Sequence, residues 1–583
     1  MNFIKKNEYI SVFLAVLVLI SVVYSSFLHN QFAVIDDLAG FVQNESIRNF
    51  SASIFTLHLT PIIFSLFYNL WGINPLPFRI FAIFTHALVS LLLYILTSKF
   101  YSKKIAFSTT LIFALHPVNT EVLNWLSANW YMWNALFMFS TLIFYTKYKQ
   151  EKLIKYFYWS FILFCLDLVF IRHPWSLVIP IALFCLDQFF IENRINIKKS
   201  QILLYFIIPL VPFYFLHFAS GYADRVSNRV EGGESMLLNE QKIIPIVESY
   251  PYTIYNLERL YVFPKDLTIY YDGNKITVIT KWSMYIGFLI YVGSVIYFYK
   301  KNKKIAGLLL LLVVFISPTL SPKKITWFIT ERYLYNGAGF FSLLLSLLLF
   351  YISKKIKIKN IFWILLTFLL CVYSYRIFLR NKDWNNPKTF ALATIKISPL
   401  SIRPYNDIGG AYAMEKNYSK AQEYYNKALQ IGPSLTAMNN LGFIYFELGV
   451  PAVLDDSFKL ETPDLKKSEN FYARGVELIK IKQYRQALYD FNESLKYNFE
   501  NVSSLYAIGD LYLQNNQYDF AKKVFERILE INKNSEHANY SLGYIHYKQG
   551  DIEKAKYYLQ ETLKINPNNK DAKKNLQVIF GSL

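Results

Sequence analysis

The chain has 583 residues, of which 54% are hydrophobic, 18% aromatic and only 17% charged, and it carries a formal net charge of +20 at pH 7. That balance is too apolar for a soluble protein of this length. The positive charge does not read as a nucleic-acid surface. Over the first 380 residues Lys and Arg stand in short patches between apolar runs, as they do in a membrane protein.

Roughly 17–25 apolar residues cross a bilayer core. Candidate spans are predicted near 9–28, 78–98, 104–115, 132–147, 154–171, 174–191, 201–219, 283–299, 305–320, 333–351 and 360–379, about eleven in all. The run 104–115 is short and fits a half-buried helix. No small-residue cleavage site follows Tyr24, so the first run reads as a retained span. Cys165, Cys185 and Cys371 fall inside apolar runs and read as buried thiols, with no disulfide or metal framework.

Alternate loops differ in charge. Lys5 and Lys6, Lys103 and Lys104, the lysines of 147–155, Arg194 to Lys199, Lys300 to Lys304 and Lys354 to Lys359 crowd one set of short loops. The positive-inside rule places these in the cytoplasm. Segments 29–77, 116–131, 220–282 and 321–332 are then outside, and an odd number of spans puts the C-terminal part outside too. Lys323 and Lys324 run against the rule.

The composition divides the chain into a membrane domain (1–380), a linker (381–400) and a helix-rich domain (401–583). In the last, Gly409, Gly442, Gly475, Gly509 and Gly543 recur every 33 or 34 residues, with Ala487, Ala521 and Ala555 in the same rhythm. That period is the tetratricopeptide repeat, two antiparallel helices per unit with small residues where they touch. About five units and a terminal helix from Asp571 are expected, with the second unit irregular across "GVPAVLDDSFKLETPDL" (449–465). The fold class is all-α: a polytopic helical membrane domain followed by an α-solenoid that offers a concave protein-binding surface.

The outside segments hold the polar residues that could carry chemistry. "IDDLAG" (35–40) places Asp36 and Asp37 at a membrane face. Asp37 could cap a helix starting at Leu38. The pair could instead deprotonate an acceptor hydroxyl or hold a divalent cation. In "LHPVNTEVLNWLS" (115–127), Pro117 opens a helix on which His116 and Glu121 point roughly the same way, beside an aromatic belt of Trp125, Trp130 and Trp133. In "PKKITWFITERYLYNGAGFF" (322–341), Arg332 follows Glu331 at the mouth of a span. An Arg there needs a partner, either Glu331 as an interfacial anchor or a lipid-linked phosphate shared with Lys323 and Lys324.

These motifs in this order resemble the multi-spanning, tetratricopeptide-containing O-mannosyltransferase-like proteins of the GT-C glycosyltransferase superfamily. The resemblance rests on "IDDLAGFVQN" (35–44), "LWGINPLPFRIFAIFTHALVSLLLYIL" (70–96), "FALHPVNTEVLNWLS" (113–127), "HPWSLVIPIALFCLD" (173–187), "YNLERLYVFPKDLTIYY" (255–271) and "ERYLYNGAGF" (331–340), followed by the repeats. It implies a GT-C-like fold and transfer of a sugar from a polyprenyl phosphate to a protein or glycan hydroxyl on the non-cytoplasmic side. The family's acidic motif falls on Asp36 and Asp37, its histidine and glutamate on His116 and Glu121, and its arginine on Arg332. The chain departs from the pattern with His173 in place of a lysine, Glu331 in place of an aspartate, and "TLHLTP" (56–61) and "SANWY" (127–131) in place of basic motifs.

The expectation is an inverting transferase. Asp36 or Asp37 serves as base or cation site, and Arg332, Lys323 and Lys324 bind the donor phosphate. His116, Glu121, Glu331 and His173 support the site, and the repeats dock the acceptor. A divalent cation is the one cofactor in view. The expected setting is a bacterial inner membrane with periplasmic repeats, or an ER membrane with luminal repeats in a eukaryote. The alternative is a non-catalytic membrane-anchored scaffold for envelope or secretion assembly.

Overall fold

The computed structural model describes residues 2–32, 37, 41, 45–191, 246–271, 278–320, 330–356, 358–454 and 462–581. Among them every regular element is helical. The chain divides into two compact units, Met1–Ile408 and Gly409–Leu583.

The first unit contains α1 (Asn2–Val23), α2 (Leu59–Trp71), α3 (Pro75–Thr97), α4 (Lys103–Ala114), α5 (Trp130–Glu151), α6 (Ile154–Phe170) and α7 (Ile179–Phe189). It continues with α8 (Ile246–Val262), α9 (Val278–Lys301), α10 (Lys303–Ile316), α11 (Tyr335–Lys355), α12 (Ile361–Asp383) and α13 (Pro387–Ile397). Among the described residues four helical stretches are long and apolar enough to cross a membrane: Pro75–Thr97, Val278–Lys301, Glu331–Lys355 and Ile361–Asp383. The expected short run is a 12-residue helix, α4. The span expected at 201–219 lies outside the described residues.

Local chemistry sets the helix starts. The Asn74 side chain accepts from Leu76 N–H with Pro75 in the first turn, Ser102 caps α4, and Asn386 and Thr389 form a capping box on α13. Hydroxyls inside apolar helices return their hydrogen to carbonyls four residues back, as at Thr85, Ser90, Thr97 and Ser342. Ser108 of α4 meets Ser346 of α11 at 2.5 Å, a polar tie between helices in an apolar setting. The apolar stretch of α3 is 61% buried and that of α9 only 11%, so α3 is central and α9 is a rim helix open to lipid. Gly337 lets α11 approach α8 closely: the Tyr261 hydroxyl lies where a Cβ would be and donates to the Leu334 carbonyl at 2.6 Å.

The second unit continues α14 (Arg403–Met414) into α15 (Tyr418–Ile431) and α16 (Leu435–Leu448). These are followed by α17 (Leu465–Lys480), α18 (Tyr484–Tyr497), α19 (Val502–Gln514), α20 (Tyr518–Ile531), α21 (Glu536–Lys548), α22 (Ile552–Ile565) and α23 (Lys570–Gly581). The glycine rhythm marks the tight crossing within each hairpin. A Cβ on Gly409, Gly475, Gly509 or Gly543 would meet Tyr425, Phe491, Phe525 or Leu559, each 16 residues on. Gly442 of α16 breaks the rule and lies against the backbone of Arg485, because α16 packs on α18. Residues 455–461, in the irregular unit, lie outside the described residues.

Candidate functional site

The segment that follows α1 is fastened at Asn30 and Gln31. Asn30 donates to the Asn381 carbonyl at 2.9 Å and to Asn124 Oδ1 at 3.3 Å, and Asn124 donates to Asn381 Oδ1 at 2.9 Å. Beneath them Arg79, near the start of α3 and only 1% exposed, donates Nε to the Asn30 carbonyl at 3.1 Å and Nη2 to the Gln31 carbonyl at 2.7 Å. A charge at this depth requires such partners, and here backbone carbonyls supply them.

Asp37 is buried, and its carboxylate accepts from Leu126 N–H (3.1 Å), Ser127 N–H (2.8 Å) and Ser127 Oγ–H (2.7 Å). It satisfies the orphan donors at the start of the 3-10 turn Leu126–Ala128, some 90 residues away in sequence. Capping of a helix at Leu38 falls on residues outside the described set, and so does Asp36. Asp37 thus ties its own segment to the Leu126–Ser127 turn through three hydrogen bonds.

His116 and Glu121 do not point the same way, contrary to the expectation from their spacing. The short helices Pro117–Asn119 and Thr120–Asn124 turn them to different partners. His116 Nε2–H donates to the Tyr261 carbonyl at 3.1 Å, and Nδ1 accepts from Val118 N–H at 3.3 Å. Burial pushes the imidazole down to about 4, which holds it neutral in that tautomer. The rings of Tyr261, Phe341 and Tyr373 surround it.

Glu121 is fully buried and pairs with Arg332: Nη1 lies 2.5 Å from Oε1, and the Arg332 backbone N–H donates to Oε2 at 3.2 Å. Burial raises the Glu121 carboxyl above its usual range, and the guanidinium works against that shift. The Arg332 guanidinium also lies over the Trp125 ring at 4.4 Å and near Tyr333 at 5.1 Å. The expected Glu331–Arg332 anchor is corrected here. Glu331 turns away and pairs with Arg380 near the end of α12 at 2.8 Å, and Arg380 also reaches Asp383 at 3.3 Å. Adjacent residues on a 3-10 turn point in different directions, which lets each find a charge on another element.

His173 meets Trp130 in a tilted contact with centroids 3.6 Å apart and sits 5.0 Å from Trp175, which in turn meets Tyr333 at 4.9 Å. The aromatic belt is thus continuous with the ring beside Arg332. Lys323 and Lys324 lie outside the described residues. Among the described residues no group of three or more His, Cys, Asp or Glu could hold a metal ion.

Sequence reasoning missed several buried polar groups. Arg79 stands within the motif at 70–96, where no neighbour in sequence gives it a role. Asn134 of α5 donates to both oxygens of Asp167 in α6 at 3.0 Å and accepts from Asn336 of α11 at 2.6 Å. Lys149 and Asp187 form a buried pair at 2.7 Å. The available signal was an isolated charged or amide side chain within an apolar run, which is expensive unless paired.

Fold and site together define a polytopic helical membrane protein that carries tetratricopeptide repeats and a buried ion-pair network. The tetratricopeptide repeat family matches residues 402–434, 502–535 and 537–569. The chain is similar to the human protein O-mannosyl-transferase TMTC3, 22% identical over 443 residues that cover 69% of this chain and 47% of that protein. The mouse protein O-mannosyl-transferase TMTC3 is 21% identical with the same coverage, and the Caenorhabditis elegans protein O-mannosyl-transferase F38B6.6 is 22% identical over 64% of this chain and 54% of its own length. The chain spans about half the length of the curated relatives it matches. A solved structure described as "YrrB: a TPR protein with an unusual peptide-binding site" is 18% identical and covers 39% of this chain and 97% of its own, with a TM-score of 0.19.

Proposed function

We propose that the protein is a membrane glycosyltransferase that moves a sugar from a polyprenyl-phosphate donor to a hydroxyl of a protein or glycan acceptor on the non-cytoplasmic side. The observation that carries this reading is the Asp37 anchorage. It joins the "IDDLAG" segment to the loop that bears Glu121, and Glu121 in turn holds Arg332. Three motifs far apart in sequence therefore lie in one linked set. The similarity to proteins named O-mannosyl-transferases supports a mannosyl group as the sugar.

In this mechanism Asp37 positions the loop and Asp36 is the general base. Asp36 takes the proton of the acceptor hydroxyl as that oxygen bonds to the anomeric carbon, and the bond from that carbon to the lipid phosphate oxygen breaks with inversion. Arg332 contributes positive potential from within its pair with Glu121, and Lys323 and Lys324, just before it in sequence, contact the leaving phosphate. His116, neutral and doubly bonded, positions the start of the second loop. His173 and its neighbouring tryptophans line the aromatic face beside Arg332. Where a cation assists, Asp36 is its ligand in this chain. The repeats dock the acceptor, on the periplasmic face of a bacterial inner membrane or in the ER lumen of a eukaryote.

The test is transfer from a synthetic polyprenyl-phosphate mannose by protein in lipid nanodiscs. An Asp36→Asn variant should keep its thermal stability and lose transfer, whereas full activity would exclude Asp36 as base. A second reading, a non-catalytic scaffold, draws on the fact that Glu121, Glu331, Arg332 and Arg380 all find charged partners within the chain. It predicts no transfer by the unaltered protein and no binding of the donor lipid.

A further inference from the structure

A pocket lies beside the irregular second repeat. It measures about 620 Å³ and lies between α16, the turn into α18, and the turn between α19 and α20. That volume falls within the roughly 300–1,000 Å³ of small-ligand sites.

Its lining is distinctive in chemistry. Asn439, Gln483, Gln486, Asn515 and Gln517 bring five amides from three separate elements. Each amide both donates and accepts hydrogen bonds. Gln517 Nε2 is committed to the Phe446 carbonyl, and Gln517 Oε1 is buried with no hydrogen-bond partner among the described residues.

Two rings stand among the amides, Phe443 and Tyr484. Arg485 covers Phe443 at 5.1 Å, whereas Tyr484 is 38% exposed. The charged lining residues are Glu447 against Lys482 and Arg485, a net of one positive charge among mostly neutral groups. An extended peptide on a repeat array follows an unbroken row of first helices. Here the row is interrupted, because the Arg485 backbone lies across Gly442 where the irregular unit folds α16 onto α18. The result is a polar pocket, open to solvent, with an aromatic edge.

We propose that this cavity binds a neutral oligosaccharide. The amides meet sugar hydroxyls, which likewise donate and accept. Tyr484 stacks on the apolar face of a pyranose ring. The ligand is a short glycan, free or carried on a protein. The proposal stands without the transferase reading, since binding at the repeats needs neither donor lipid nor Asp36.

The experiment uses the full chain in lipid nanodiscs, free of glycoside detergents, with mannotriose and maltotriose as probes in saturation-transfer NMR. Wild type should show transfer from at least one probe. Tyr484→Ala should weaken binding about tenfold or more while Tyr484→Phe retains it, and Asn439→Ala should weaken it as well. Unchanged helical circular dichroism and a monodisperse profile establish folding of each variant. A mannosylated peptide that competes with the probe, while its unmodified counterpart does not, supports a protein-borne glycan. Competition by the free sugar alone supports a free glycan. The proposal is overturned if neither probe binds, if Tyr484→Ala binds like wild type, or if the unmodified peptide competes equally.

Discussion

Arg332 Nη1 lies 2.5 Å from Glu121 Oε1, across 211 residues of chain, and both side chains are almost wholly withdrawn from solvent. Each end of this pair belongs to a loop motif that carries other site residues, so the contact fixes one loop against the other. Breaking a buried pair by removing one partner leaves an uncompensated charge and costs about 3–5 kcal/mol. Glu121→Gln should therefore lower the thermal midpoint of the protein in nanodiscs by many degrees. Glu121→Gln/Arg332→Gln should recover a substantial part of that loss, because it leaves no stranded charge. A double variant no better than the single one would show that the pair contributes little beyond the individual side chains.

The two aspartates of "IDDLAG" should separate in their effects. Asp37 accepts three hydrogen bonds from Leu126 and Ser127, and an Asn there presents an amino group to one of those donors. Asp37→Asn should cost about 1–3 kcal/mol of stability and increase protease nicking within 115–131. Asp36→Asn should leave melting and nicking unchanged and abolish transfer. Equal destabilisation by both variants would contradict the division of roles.

The helical elements and the repeat rhythm were legible because both depend on local periodicity. Apolar runs mark α3, α11 and α12, and the glycine spacing marks the hairpin crossings at Gly475, Gly509 and Gly543. Pairing partners were not legible. Glu331 and Arg332 invite an ion pair as neighbours, yet Arg380, 49 residues on, and Glu121 take them instead. A 3-10 turn and two helix ends decide that choice, and no short pattern encodes it. The partners of Asp37 were equally hidden, since they lie in a turn some 90 residues away. Arg79 left a trace, an isolated charge in an apolar span, that a stricter reading would have followed to the Asn30 and Gln31 carbonyls.

Buried histidine makes stability depend on pH in a calculable direction. Burial lowers His116 to about 4, below the roughly 6.5 of an exposed imidazole. The unfolded chain thus takes up a proton between about pH 6.5 and 4 that the folded chain refuses, so stability is full above that window and declines as pH falls through it. His58, also lowered to about 4 by burial with Arg172 nearby, acts in the same sense. For His116 the loss should approach about 3 kcal/mol at pH 4. His116→Phe keeps an aromatic ring among Tyr261, Phe341 and Tyr373 and removes the titration. Its melting should be lower at pH 7.5 but flatter between pH 7.5 and 4.5. Parallel curves for variant and wild type would exclude His116 as a source of the acid sensitivity.

Two kinds of repeat glycine should respond differently to the same added methyl. At Gly409, Gly475 and Gly509 the Cβ would meet an aromatic ring, Tyr425, Phe491 or Phe525, and at Gly475 the distance is 2.5 Å. A ring can tilt and the hairpin can widen slightly, so alanine there should cost about 1–3 kcal/mol, as core overpacking does. At Gly442 the Cβ would meet the carbonyl and Cα of Arg485. That obstacle is backbone at the start of α18 and has no rotamer to change. Relief requires α16 to move from α18, which would break the hydrogen bonds from Tyr512 to the Tyr445 carbonyl (2.6 Å) and from Gln517 to the Phe446 carbonyl. Gly442→Ala should therefore destabilise the repeats more than Gly475→Ala, although its sequence position in the rhythm is equivalent. Because Gln517 and Phe443 line the same cavity, it should also weaken any oligosaccharide bound there. Differential scanning calorimetry of the two variants compares them directly, and an equal or smaller effect at Gly442 would show that the α16–α18 contact yields without cost.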